Sequence, residues 1–260
     1  MRMINFVKIS FLVMLFGVCA GGTLCFSENL TTEELFSLGN DFYEKGEYGR
    51  ALAEYEEVLK RGHESGALYF NIADACFKEG QLGKAVLNYE RAKILLPRDA
   101  DIIANYRFAR ASIKTKIIAP RGIWSWGPLK TYSGKLNVNE FTWFSSILYL
   151  LILLFLSVTI VRANITTFQV SVIVLMFFLI ILNVVVIGHK LQVIKKGAIT
   201  IVPKAEAMFG PFDSATKFFT LHEGVMVTVL KSKDDWYKVR RADDKVGWIH
   251  KDAVEKITGE

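Results

Sequence analysis

The chain has 260 residues, of which 52% are hydrophobic, with a formal net charge of +6 and a mean hydropathy of +0.28. A hydropathy above zero is high for a soluble protein and is typical of a chain that combines soluble domains with membrane spans. No region is basic enough to predict nucleic-acid binding. The 3 cysteines and 4 histidines give neither a disulfide framework nor the spacing of a metal site, so we expect no cofactor.

Residues 1–26 have the order of an export signal. Arg2 and Lys8 give a positive start, an apolar centre follows, and a small-residue exit ends at Ala20. Cleavage of this segment and its retention as an uncleaved anchor are both consistent with the pattern. In either case the next segment is expected outside the cytoplasm.

Residues 30–113 contain two copies of one pattern of small, apolar and aromatic residues, 34 positions apart. Each copy predicts a helix, a glycine-containing turn and a second helix. Ala100–Ile113 predicts a further helix that caps the stack, because neighbouring repeats bury each other's core. The matching positions are Leu35, Leu38, Gly39, Phe42, Gly46, Ala51, Tyr55 and Val58, and then Tyr69, Ile72, Ala73, Cys76, Gly80, Ala85, Tyr89 and Ala92.

In period and residue sizes the two copies resemble the tetratricopeptide (TPR) repeat. Asn40 and Asn71 match the asparagines that hold a peptide backbone in carboxylate-clamp TPR domains. Phe36, Asp101 and Asn105 stand where those domains have basic residues, so we expect a less charged peptide or helix than an acidic C-terminal tail. The alternative is that the two phenylalanines of the second copy only pack against the capping helix. The groove residues that the resemblance implies are Phe36, Asn40, Tyr43, Phe70, Asn71, Asp74 and Phe77.

A basic, turn-rich linker at 114–140 carries Trp124 and Trp126. Indole rings favour the membrane interface, and the basic side chains suit a position beside lipid head groups. We therefore predict a juxtamembrane linker, with a plain solvated linker and a partner-binding site as the alternatives.

Two long apolar runs, 141–161 and 163–188, contain no charged residue. A helix needs about 20 apolar residues to cross a bilayer, and a helix pairs its own backbone groups in lipid. We predict two transmembrane helices, 141–161 and 168–188, with a buried hairpin in a soluble core as the alternative. The lack of intramembrane charge favours an anchor over a transporter, and Asn183 is a candidate for an inter-helix hydrogen bond.

Residues 196–257 change to alternating, β-type sequence. Turns are predicted at Glu223-Gly224, Asp234-Asp235 and Asp243-Asp244. Strands of period two are predicted at 198–202, 225–230, 237–241 and 247–250.

This segment resembles a bacterial SH3-type barrel in its Phe209-Gly210-Pro211 loop, its Trp236-Tyr237-Lys238-Val239 strand and its Gly247-Trp248-Ile249 strand. The resemblance implies an aromatic groove for extended peptides, including cell-wall peptides. The alternative is that the two tryptophans belong to the core or wall of the barrel. The groove candidates are Pro211, Trp236, Tyr237 and Trp248.

The export signal and the positive-inside rule disagree about orientation. The signal places the repeats and the SH3-type domain outside and Arg162 inside, whereas Lys190, Lys195 and Lys196 would favour the reverse. Because the first hydrophobic segment usually dominates, we expect both domains on the periplasmic side of a bacterial inner membrane.

The order of signal, short TPR array, Trp-containing linker, membrane hairpin and SH3-type domain resembles the BatE-type proteins of Bat aerotolerance operons. The resemblance implies a non-catalytic adaptor in an envelope complex linked to oxidative-stress survival, with von Willebrand A-domain Bat proteins as partners. The alternative is a cell-wall binding protein that acts through the SH3-type domain. Because the sequence contains no nucleophile elbow, phosphate loop or metal cluster, we do not expect an enzyme. The predicted fold is a multidomain membrane protein with all-α repeats, two spans and an all-β barrel.

Overall fold

A computed structural model describes residues 30–114, 138–161 and 167–258. The predicted export signal, most of the Trp-containing linker and the loop between the two predicted spans lie outside the described residues.

Five helices are described between residues 30 and 114, and we call them the helical array. Three of them begin at a side chain that caps the helix, because Thr31, Ser65 and Asp99 each accept a hydrogen bond from a backbone N–H of the first turn. These caps lie 34 positions apart, so the helix–turn–helix arrangement repeats with the period read from the sequence. The helices are α1 (Thr32–Glu44), α2 (Tyr48–Lys60), α3 (Gly66–Lys78), α4 (Leu82–Leu95) and α5 (Ala100–Ala111).

The turn inside each unit depends on glycine. Gly46 and Gly80 have φ values of +77° and +76°, a left-handed conformation that residues with a Cβ adopt at a cost. Behind the turns, the core is made of small and aromatic residues at equivalent positions, with Ala51 and Ala85 both fully buried. The two helices of each unit can therefore approach closely.

Two long helices follow, α6 (Val138–Val161) and α7 (Thr167–Lys196). Among the described helices one stretch, Gln169–Gly188, is long and apolar enough to cross a membrane, whereas the apolar part of α6, Ser145–Val158, is shorter. The hydroxyl of Ser145 donates to Oδ1 of Asn183 at 2.7 Å. The predicted inter-helix hydrogen bond at Asn183 is thus confirmed.

Seven antiparallel strands form the C-terminal part, which we call the β-domain. They join in one sheet in the order β3-β2-β6-β5-β4-β1-β7. The predicted turns are confirmed by positive φ at Gly224, Asp234 and Asp244. The strands are β1 (Gly197–Thr200), β2 (Lys204–Met208), β3 (Lys217–His222), β4 (Met226–Lys233), β5 (Trp236–Arg241), β6 (Val246–His250) and β7 (Val254–Lys256).

The four predicted strands are present with shifted ends, while β2, β3 and β7 were not predicted. β2 alternates, but its buried side chains are only Ala205 and Ala207, β7 has three residues, and β3 begins with two exposed residues. None of the three therefore gives a strong hydrophobic signal of period two. The second apolar helix also continues to Lys196, past its predicted end at 188, because a single glycine such as Gly188 is tolerated inside a helix and no proline lies between it and Gly197. Strand β1, which begins at Gly197, therefore follows α7 without a linker.

The helical array packs directly against the β-domain through α4. The backbone N–H of Gly83 donates to Oε1 of Glu223 at 2.8 Å. A Cβ at Gly83 would lie 2.5 Å from the carbonyl oxygen of Thr200 and 2.8 Å from Cα of Ile201. The first turn of α4 therefore lies against the backbone that follows β1.

Arg91 holds the other end of this interface. Its guanidinium donates to the carbonyl oxygens of Ile257 at 2.8 Å and Lys256 at 3.0 Å, and to Oε1 of Glu255 at 2.9 Å. Ile199 of β1 and Ile257 are buried in the same apolar cluster as the helices. The two soluble parts thus form one packed body, whereas the sequence alone presents them as separate domains.

Candidate functional site

One face of the helical array presents two matching stripes of half-buried side chains, which we call the groove face. Phe36, Asn40 and Tyr43 recur at four- and three-residue spacing along α1, so they lie on one side of this helix. Phe70, Asp74 and Phe77 occupy the equivalent positions of α3, and Asn71 lies beside them. All seven predicted groove residues are neither fully buried nor fully exposed.

The stripe of the first unit is held by a three-residue hydrogen-bond arrangement. The hydroxyl of Tyr55 and the amide Nδ2 of Asn71 both donate to Oδ1 of Asn40, each at 2.8 Å. Asn71 therefore joins the second unit to the first. Burial is the main cause that raises the pKa of Tyr55, to about 12, so its hydroxyl stays a donor at neutral pH.

The second unit repeats this arrangement 34 positions later with one chemical change. The hydroxyl of Tyr89 and Nδ2 of Asn105, the latter at 3.2 Å, donate to Oδ1 of Asp74. The acceptor is now a carboxylate rather than an amide. Sequence reasoning treated Asn105 only as a departure from a clamp, but its distance of 34 positions from Asn71 was a signal for this role.

Aromatic rings line both stripes. Phe36 lies 5.9 Å from Tyr55, and Phe70 lies 6.1 Å from Tyr89, measured between ring centroids. Phe77 meets Phe108 of α5 edge-to-face at 5.6 Å, and Phe108 is 65% exposed. Phe77 thus touches the capping helix, as the packing alternative requires, while Phe70 packs on a tyrosine of its own unit.

The partial burial of Asp74 disfavours the charged form of its side chain. Burial raises the pKa of this carboxyl, and the hydrogen bonds from Tyr89 and Asn105 lower it only in part. Since the folded-state pKa lies above the ordinary value of 3.8, the unfolded chain ionises at a lower pH than the folded one. Stability therefore falls as the pH rises through this range and remains lower at neutral pH.

Replacing Asp74 by asparagine should raise the melting temperature of the chain at pH 7. The amide oxygen still accepts from Tyr89 and Asn105, as Asn40 does in the first unit, but no charge is buried. The gain should disappear below pH 3.8, where the wild-type carboxyl is protonated in both states. Thermal unfolding of the two chains between pH 3 and pH 7 measures this, and the reverse change, Asn40→Asp, should lower stability at pH 7. A lower melting temperature for Asp74→Asn than for wild type at pH 7 would contradict the conclusion that the charge of Asp74 destabilises the folded chain.

The predicted peptide-binding residues of the β-domain divide between two faces of the sheet. Because successive residues of a strand point to opposite faces, Trp236 and Tyr237 cannot share one. Tyr237 is 8% exposed and belongs to the apolar core of the β-domain. Trp236, 7% exposed, stacks on His250 with ring centroids 4.2 Å apart.

Trp248 lies on the same face as Trp236. The pairing of Trp236 with His250 and of Lys238 with Trp248 places these four side chains together on β5 and β6. The Lys238 ammonium lies 5.8 Å from the Trp248 ring centroid, a cation–π distance. Pro211, in the loop between β2 and β3, is half-buried.

Sequence reasoning missed three exposed phenylalanines at this loop. Phe209, Phe212 and Phe218 are 62%, 55% and 41% exposed, and the rings of Phe209 and Phe218 lie 4.4 Å apart. The Phe212 ring lies over Gly210, where a Cβ would come within 2.4 Å of it. We call this set the phenylalanine patch. Aromatic residues in a β-rich segment ordinarily predict core positions, so only the structure reveals that these are exposed.

Comparison with known families identifies this part of the chain. Residues 210–256 form a bacterial SH3 domain. No curated protein matches the chain. The structure adds two strands that precede the matched residues, β1 and β2, to the SH3 domain. Both tryptophans and the phenylalanine patch lie on elements other than β1 and β7, the strands that pair beside α4.

The remaining candidate groups for chemistry are buried or scattered. Cys76 is 2% exposed in the helical core, and burial raises the pKa of its thiol to about 12. A thiol that does not ionise near neutral pH is a poor nucleophile. Within 30–114, 138–161 and 167–258, no group of three or more His, Cys, Asp or Glu side chains could hold a metal ion.

Proposed function

We propose that this protein is a non-catalytic, membrane-anchored adaptor that holds a partner polypeptide on the groove face of its helical array. The observation that carries the proposal is an arrangement that occurs twice on this face, in which a tyrosine hydroxyl and an asparagine amide donate to one side-chain oxygen. Hydrogen bonding fixes these polar groups beside partly exposed aromatic rings. Fixed amide and aromatic groups at regular spacing suit an extended peptide or a helix.

The TPR-like period and the resemblance to BatE-type proteins extend this proposal. They favour an envelope complex linked to aerotolerance and oxidative stress, with von Willebrand A-domain Bat proteins among the partners. The SH3 domain packs on α4, the second helix of its unit. The groove residues lie on α1 and α3, so a partner can reach them while the SH3 domain stays docked.

The packed interface also supports the two-span hairpin. A direct contact between α4 and the strands after α7 requires both soluble parts to lie on one side of the membrane. An even number of spans between them satisfies this condition, and the bond from Ser145 to Asn183 holds α6 against α7. We propose two spans in a bacterial inner membrane, with both domains on the periplasmic side.

Cysteines placed at exposed Ser37 and Ser214 test this topology. In intact cells a membrane-impermeant maleimide should label both positions, with the unsubstituted chain as background and labelling after lysis as the upper limit. Labelling of only one position would contradict the even number of spans. Labelling of neither before lysis would place both domains in the cytoplasm.

Binding of cell-wall peptides by the SH3 domain is the second candidate function. The phenylalanine patch favours it, because three exposed aromatic rings on one small domain are typical of a contact surface. Purified wall sacculi should then retain the wild-type chain and lose a Phe209→Ala/Phe218→Ala variant. The adaptor proposal predicts equal, weak retention of both chains.

Site-specific photo-crosslinking tests the adaptor function. A benzoylphenylalanine at position 36 or 70 should cross-link a discrete partner in intact membranes. The same probe at exposed position 53 of α2 should give no such product. Equal cross-linking at 36, 70 and 53, or none at 36 and 70, would overturn the groove as the partner site.

A further inference from the structure

Because the helical unit is repeated, Asp74 of the second unit can be compared with Asn40, the equivalent residue of the first unit. Asn40 performs the same structural task in the first unit, accepting from a tyrosine hydroxyl and from the asparagine of the next helix. A neutral amide oxygen is therefore sufficient for the hydrogen-bond arrangement. The negative charge of Asp74 is not required for this arrangement, and burial disfavours it more than the two hydrogen bonds favour it. Hydrogen bonding within the chain therefore does not account for the charge.

Within the part of the chain that the structure describes, Asp74 forms no ion pair. Lys78, one turn further along α3, acts on Asp74 only as a weaker influence that lowers its pKa from a distance. A partly buried carboxylate without a paired cation attracts one from a ligand.

The surroundings of Asp74 suit the stem of a long basic side chain. Phe70 and Phe77 lie one turn before and one turn after it on the same stripe of α3. Tyr43 of α1 is close enough that the charge of Asp74 helps burial to raise the pKa of that tyrosine. Lysine and arginine pack their methylene stems on apolar surface while the charged head reaches a polar group, and aromatic faces attract cations.

We propose that the groove face binds an extended polypeptide segment that carries a lysine or arginine, whose cation pairs with Asp74. This proposal rests on the proposed adaptor function and names the chemistry of its ligand. The first unit, with a neutral Asn40 at the equivalent position, contacts a neighbouring uncharged part of the same segment. An acidic segment is rejected, because it would bring a second negative charge to a carboxylate that is already partly desolvated.

Selection from a random dodecapeptide display library against the full chain in nanodiscs tests the proposal. The wild-type chain should enrich peptides with lysine or arginine at one fixed position. A synthetic copy of the best peptide should lose about 10- to 100-fold in affinity on Asp74→Asn, the range for a lost hydrogen bond to a charged group. A copy with norleucine in place of the basic residue should bind wild type no more tightly than Asp74→Asn, because it leaves the carboxylate of the wild-type chain without a cation. The Asn40→Asp chain should enrich peptides with a second basic position.

The other possible outcomes separate the pairing with Asp74 from the adaptor function on which it rests. Peptides that depend on Phe70 but show no basic position, or whose binding is unchanged by Asp74→Asn, overturn the pairing and leave the adaptor function standing. If no enriched peptide loses binding on Phe70→Ala, the groove itself is wrong and both proposals fail. Thermal unfolding of Asp74→Asn, which keeps the acceptor oxygen, verifies that a lost affinity is not a lost fold.

Discussion

Replacing Gly83 by alanine is expected to force the helical array away from the SH3 domain and to lower the free energy of unfolding by about 2–3 kcal/mol. The new methyl group would lie 2.5 Å from the carbonyl oxygen of Thr200 and 2.8 Å from Cα of Ile201. Both atoms belong to the backbone, so no side-chain rotation relieves the overlap. The bond from the Gly83 amide to Glu223 must also break when the surfaces separate.

Gly49 provides a matched control for this substitution. It is the second residue of α2, as Gly83 is the second residue of α4, and its Cβ would meet only Oε1 of Glu79, at 4.0 Å. Alanine at Gly49 should therefore stabilise the chain by about 0.4–1 kcal/mol through a less flexible unfolded state. The change from glycine to alanine is thus expected to lower the free energy of unfolding at position 83 and to raise it at position 49.

Hydrogen exchange followed by mass spectrometry distinguishes the two variants. In Gly83→Ala, the amides of β1 and of the first turn of α4 should exchange faster than in wild type, while those of α1 and α2 stay protected. Gly49→Ala should leave the protection of β1 unchanged. Unchanged protection of β1 in Gly83→Ala would show that the two parts are not packed as described.

The fragment 210–256, the part that matches the SH3 family, is expected to remain unfolded by itself. In the sheet order β3-β2-β6-β5-β4-β1-β7, this fragment lacks β1 and β2. The loss leaves β3 and β7 without partners and reduces the sheet to β4, β5 and β6. It also removes Ala198, Ile199 and Thr200, which are fully buried.

The fragment 197–258 contains all seven strands and is the control for the missing pairings. It should show a dispersed amide spectrum in NMR, whereas 210–256 should show the narrow dispersion of an unfolded chain. Ile199 and Ile257, which pack against the helices, become exposed in 197–258, so this fragment should bind a hydrophobic dye more strongly than the full chain. A folded 210–256 fragment would show that β1 and β2 are dispensable.

Local features of this protein follow from the sequence by itself. The caps at Thr31, Ser65 and Asp99 and the turn glycines act over a few neighbouring positions, and the 34-residue period repeats these local signals. The same holds for the apolar helices and for the hairpin turns at Asp234 and Asp244, where short side chains tolerate positive φ. In each case the interacting groups lie close along the chain, so the pattern of residue types is sufficient.

Contacts between distant parts of the chain were decided only by the tertiary structure. Gly83 and Glu223 are 140 positions apart, and a glycine in a helix gives no sign of which surface it meets. Strands β2, β3 and β7 have weak hydrophobic signals and take their conformation from the partners beside them. The exposure of the phenylalanine patch and the burial of Asp74 depend on the same long-range packing, because a residue type fixes its chemistry but not its surroundings.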